Sequence, residues 1–183
     1  MSMTWFGILG IFFYALFAAD HLYAGHAANL LWACQVGALL VGLGLVFRSP
    51  TWNAIGLLWL VAGVPLWAMD LLANGGGRPT TLLTHVGGLV LGVIGVRRLG
   101  LPKRTWLRAA IALAGLHLLC RWVTPPEENI NLAFTIWPGW EAYFPSHLVY
   151  VLTVFALCVA AFMSVEFAVR RAGLLPGSRG DQR

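Results

Sequence analysis

Apolar residues fall into six long runs, and within several of them no polar stripe recurs at helical period. Residues 36–47 and 148–163 are apolar around the whole helical circumference, as expected of helices surrounded by lipid rather than half-faced by water. The runs cover 4–22, 27–47, 51–73, 80–97, 104–122 and 145–169, each near the length of about 20 residues that a hydrocarbon core requires. The pattern predicts an all-α, polytopic membrane protein: a six-transmembrane-helix bundle over 1–171 and a polar, disordered cytoplasmic tail over 172–183. The connections are short except the last, 123–144. There Pro125-Pro126 stops the fifth helix and Pro138-Gly139 makes a turn between two tryptophans. A loop this long and aromatic either covers something or lies along the membrane interface.

Composition agrees with the pattern. Hydrophobic residues make up 59% of the chain and charged residues 10%, and mean hydropathy is +0.77, outside the range of a soluble domain. The formal charge of +5 does not point to nucleic acid, because no soluble face interleaves basic residues with aromatics. Instead Arg48, Arg97, Arg98, Lys103, Arg104, Arg108, Arg170, Arg171, Arg179 and Arg183 lie on one side of a six-span topology, and Arg78 and Arg121 lie opposite. By the positive-inside rule this sets both termini inside, an N-in/C-in orientation; the plasma (bacterial inner) membrane is the expected location.

The N-terminus has no basic n-region and no small-residue cleavage motif, so the first run is expected to be an anchor. Cys34, Cys120 and Cys158 show no C-x-x-C spacing, so neither a disulfide framework nor a zinc ribbon is indicated. Tryptophans gather near span ends as an aromatic belt. Gly88 and Gly92 form a GxxxG spacing that would bring the fourth span against the glycine-rich second. Glu166 and Arg170 are spaced as a surface i, i+4 ion pair.

The chemistry sits in one layer. His21, His26, His85, His117 and His147, with Asp20, Asp70, Cys34, Cys120 and Arg121, all fall at the same end of the spans, the extracytoplasmic end in this orientation. Charged groups at helix centre cost about 2.5 to 3.5 kcal/mol each, so such a layer needs a reason. Counting helical rise, Cys34 lies about 10 Å, and His85 and His117 about 8 Å, below the outer boundary. A thiol and an imidazole at matched depth on neighbouring helices suit nucleophilic attack on an ester carbonyl, with the imidazole taking the proton and a carboxylate such as Asp70 fixing its tautomer. Cys34 taken alone reads as an inert buried thiol. Asp20, His21 and His26 could instead hold zinc, and two histidines on different spans could hold a haem, although no spacing matches a known motif for either. No cofactor is the first expectation.

The segment from about 28 to 155 resembles the YwaF-type bacterial integral membrane proteins, whose vertebrate relatives include a membrane phospholipid acyltransferase. More distantly it is similar to the androgen-induced hydrolases of fatty-acid esters. The resemblance rests on an ordered series: Trp32-Ala33-Cys34-Gln35 opening a glycine-rich span that ends at Arg48, an aromatic span closing at Asp70, and Thr84-His85-Val86-Gly87 opening the next. The basic loop Pro102-Lys103-Arg104-Thr105-Trp106 follows, then Asn129-Ile130-Asn131 leading through Trp137-Pro138 to Tyr143-Phe144-Pro145. It implies that Cys34 and His85 are catalytic. The resulting expectation is a lipid acyl hydrolase or transacylase with Cys34 as nucleophile, His85 as base, and Asp70 or His117 as orienting or oxyanion partner. Trp32, Gln35, Asn131, Trp137 and His147 would line the substrate. The alternatives are a metal-dependent hydrolase and a non-catalytic subunit of a larger membrane complex, or a homo-oligomer, binding lipid, quinone or pigment.

Overall fold

The computed structural model describes residues 2–75 and 78–172; the tail from 173 onward lies outside them. Among the described residues the chain is helical throughout, with no strand. The main helices are α1 (Met3–Tyr23), α2 (Ala33–Val46), α3 (Pro50–Asn74), α4 (Pro79–Leu99), α5 (Thr105–Val123) and α6 (His147–Arg171). Local chemistry sets several ends. Ser2, Ser49 and Ser146 cap α1, α3 and α6 by accepting from Trp5, Trp52 and Val149 N–H. Pro50 takes the first position of α3, where a missing N–H costs nothing.

Five of the six helices, all but α2, are long and apolar enough to cross a membrane. Their outward faces carry Phe12, Leu66, Val90, Ile111, Leu152 and Leu157, all exposed. Such a surface suits a protein embedded in lipid and would aggregate in water.

The second apolar run is where the structure departs from the expected span. Residues 27–47 do not form one helix: a 3-10 turn (Ala27–Leu31) is followed by a break at Trp32, which has extended ψ, and only then by α2. Fourteen helical residues rise about 21 Å, short of the roughly 30 Å hydrocarbon core. The interruption is held open by a side chain about a hundred positions away, which no local pattern announces.

Small residues let α2 sit at the centre of the bundle. Gly37 and Gly44 face α3, where a methyl on Gly44 would strike the Asn53 backbone, and Gly42 faces Gly10 and Ile11 of α1. The GxxxG pair of α4 does meet α2, but against Ala38 and Val41 rather than against the glycines. Asn53, fully buried, donates to the Gly92 carbonyl at 3.0 Å and ties α3 to α4. On the other side α3 holds α5 through Trp59 Nε1, which donates to the Ala109 carbonyl at 3.0 Å.

At the arginine-rich end the expected surface ion pair proves to be a buried cap. Glu166 is only 7% exposed, and its two oxygens accept from the backbone N–H groups of Arg104 at 3.0 Å and Trp106 at 2.9 Å. It thus satisfies the open N-terminus of α5 from another helix. Arg170 bonds the same carboxylate at 2.8 Å and donates to the Pro102 carbonyl at 2.6 Å, so the pair clamps the 99–105 connection.

Candidate functional site

Opposite that end, two groups within the polar layer do different work. The larger group fastens the long loop. Asn131, in left-handed backbone (φ 52°), places its carboxamide into the break before α2. Its Oδ1 accepts from Ala33 N–H at 2.8 Å, and its Nδ2 donates to the Leu31 carbonyl at 2.7 Å. One amide side chain therefore replaces the backbone partners that the interrupted helix has lost. Cys120 Sγ lies 3.2 Å from the same Nδ2.

Three side chains then take consecutive loop carbonyls: His117 Nδ1 bonds Asn131 O at 3.1 Å, His147 Nε2 bonds Leu132 O at 2.9 Å, and Arg121 bonds Ala133 O at 2.6 Å. Beside these anchors the Ile130 and Ala133 side chains are fully buried against Trp59, Leu116 and Phe162. Trp32 bonds Asn29 at 3.2 Å and meets Trp137 edge-on at 6.5 Å. Residues 130–133 are thus an inserted plug, while Pro125, Pro126 and Glu127 before it and Trp140 and Tyr143 beyond it are exposed. His117 and His147, expected beside the reacting atoms or the substrate, are placed at the loop.

The second group lies where α2, α3 and α4 meet. In α4 the helix widens into a π turn over Leu83–Gly87, a local distortion frequent at functional sites. The displaced Thr81 carbonyl accepts from His85 Nδ1 at 2.7 Å and from the Thr84 hydroxyl at 3.0 Å. A carbonyl can only accept, so Nδ1 carries the proton and Nε2 of the neutral ring presents a lone pair. His85 is 1% exposed and its Nε2 has no hydrogen-bond partner. Its ring stacks on Trp67 of α3 at 4.5 Å, with 12° between planes. Pro65, two residues before Trp67, removes the N–H that the Val61 carbonyl would have used, so α3 and α4 both depart from regular α-helical hydrogen bonding beside this imidazole.

Cys34 stands in the first turn of α2 against Gly63, where an added methyl would come within 2.9 Å of its Cβ. Gly63 and Trp67 are one turn apart on α3, so thiol and imidazole flank the same stretch of that helix. No hydrogen bond joins them, since Nε2 has no partner. The tautomer-fixing place expected for Asp70 or His117 is filled by the Thr81 carbonyl. Asp70 lies three residues beyond Trp67 on α3, and Gln35, beside Cys34, is 3% exposed with Oε1 unpartnered.

Of the residues considered for zinc, Asp20 and His21 are engaged otherwise. Asp20 accepts from Arg78 and, at 2.7 Å, from Thr80. His21 Nδ1 bonds the Phe17 carbonyl at 3.1 Å, and His26 is exposed in the turn before the 3-10 segment. Among the described residues no three His, Cys, Asp or Glu side chains form a group that could hold a metal ion. Trp67 and Thr81 went unnoticed in sequence. Their only signals were Pro65 inside an apolar run and a threonine one helical turn before a histidine. Comparison with protein families, characterised proteins and solved structures finds no significant match.

Proposed function

We propose that the chain is a membrane enzyme of lipid acyl chemistry, a hydrolase or transacylase, working at His85 and Cys34. The observation that carries the reading is the fixed tautomer of a buried imidazole whose Nε2 lone pair is unspent. A buried acceptor without a donor is costly, by about 1–3 kcal/mol, and on a histidine ring it is an atom that a ligand or a transferred proton can use. The thiol across Gly63 is the nucleophile to pair with that lone pair, since nucleophile and base contacts often form fully only in the substrate complex.

The chemistry balances with these two groups. Cys34 gives its proton to His85 Nε2, the thiolate attacks the ester carbonyl, and the leaving alkoxide takes the proton back as an acyl thioester forms. Water, or the hydroxyl of an acceptor lipid, then gives its proton to Nε2 and attacks the thioester, restoring the thiol. Ten of twelve Lys and Arg residues on one side favour six crossings with both termini inside the bacterial inner membrane. On that reading α2 and the 3-10 turn before it together make one crossing, and the site lies near the extracytoplasmic face, open to lipid of that leaflet. The ordered motifs from Trp32 to Pro145 support membership of the YwaF-type family.

Cys34→Ala and His85→Ala, each purified in nanodiscs and assayed with a long-chain fluorogenic ester, should each lose about 100-fold or more in turnover. Retained turnover in both would remove the pair from the mechanism. A second reading, a non-catalytic subunit of a larger membrane complex, is favoured by the expenditure of His117, His147, Arg121 and Cys120 on loop anchoring. Stoichiometric co-purification of a fixed partner, with no turnover, would select it.

A further inference from the structure

Two of the buried acceptors without a partner, Gln35 Oε1 on α2 and His85 Nε2 on α4, constrain what can bind. Ala38 of α2 packs on Gly88 of α4, and Val41 on Gly92, so the two helices run in parallel register. Three residues back from the first contact lie Gln35 on one helix and His85 on the other, which places them at one level. Both are nine-tenths or more buried, and both present an atom that only accepts: His85 Nε2, by its tautomer, and Gln35 Oε1. Trp67 stacks on the His85 ring, and Phe13 and Leu60 pack on Gly87 and Gly88 just beyond it, an apolar surrounding in which a charged head would be poorly solvated.

The geometry points to a binding site for a neutral polyol head on an acyl chain, of the monoacylglycerol type, with hydroxyl groups donating to His85 Nε2 and to Gln35 Oε1. Two free hydroxyls supply the two missing donors, and a single chain can follow the apolar surface toward lipid. A fully esterified or O-methylated head has no donor to offer and leaves both acceptors unpaired. The assignment rests on the reading above only in placing the site at His85, and it requires no reaction.

Native mass spectrometry of the whole protein in detergent, titrated with 1-monooleoylglycerol and with its di-O-methyl ether, reads this directly. One monooleoylglycerol should bind per chain, about tenfold or more tighter than the ether. With ¹⁵N-labelled histidine, the Nε2 resonance of His85, assigned with His85→Gln, should shift on adding the free diol and stay put with the ether. Equal affinity for the two lipids, or an unmoved Nε2 resonance at saturation, overturns the assignment. The diol preference persisting without ester turnover would sink the acyl chemistry alone; turnover that depends on Cys34 without the preference would sink this site alone.

Discussion

Replacing Asn131 by Ala strikes the contact on which the loop's seating depends. The substitution removes the acceptor for Ala33 N–H and the donor to the Leu31 carbonyl, bonds of 2.8 and 2.7 Å. A buried backbone group left unpaired costs about 1–3 kcal/mol. Leu31 and Ala33 are half-buried, which sets each loss near the lower end, about 2 kcal/mol for the two together. Alanine also tolerates the left-handed backbone at φ 52° less well than asparagine, adding about 1 kcal/mol. The sum, about 3 kcal/mol, is a large fraction of the stability of an ordinary domain. Asn131→Asp keeps one oxygen for Ala33 N–H but sets the other against the Leu31 carbonyl, and should be no better than alanine. Asn131→Gly, which relieves the backbone term, should stay within about 1 kcal/mol of alanine. Equilibrium unfolding by SDS in mixed micelles measures all three. An Asn131→Ala protein within about 0.5 kcal/mol of wild type would refute the idea that this amide holds the broken segment together.

Glu166→Gln leaves one acceptor for two backbone N–H groups and dissolves the ion pair with Arg170, so it should cost about 2 kcal/mol in the same unfolding assay, more than Arg170→Met. Gly44→Ala should destabilise strongly because its methyl meets the Asn53 backbone, whereas Gly115→Ala, facing open space, should be neutral or stabilise by up to about 1 kcal/mol through helix propensity; thermal melts of the two in detergent separate them. Arg121→Met releases the Ala133 carbonyl and should hasten proteolytic cleavage within 124–146 while leaving α1 to α4 intact, as fragment masses would show.

Five of the six helices were legible as apolar runs, with ends within about two residues: 51–73 became Pro50–Asn74 and 104–122 became Thr105–Val123. Composition carries that information, because lipid-facing helices need apolar residues all round. The break at Trp32 was not legible, since the local sequence there is as apolar as elsewhere and its cause is Asn131, about a hundred positions on. Glu166 was misread for the same reason: spacing shows Arg170 one turn away, but not the N-terminus of α5. The layer of histidines was visible as a layer, yet depth alone could not divide it. Tertiary contacts give His117 and His147 to loop carbonyls and leave His85 with a free lone pair. The expected partnership of His85 with Asp70 failed to anticipate a backbone carbonyl, because a π turn cannot be read from Leu83 to Gly87.

The central proposition, that Cys34 carries the acyl group, is tested most directly by trapping it. Wild-type protein is incubated briefly with a long-chain ester, quenched in acid, digested and analysed by mass spectrometry. An acyl mass is expected on the peptide containing Cys34, released by neutral hydroxylamine and greatly reduced in His85→Ala. Ester turnover with no hydroxylamine-labile adduct at Cys34 would contradict it.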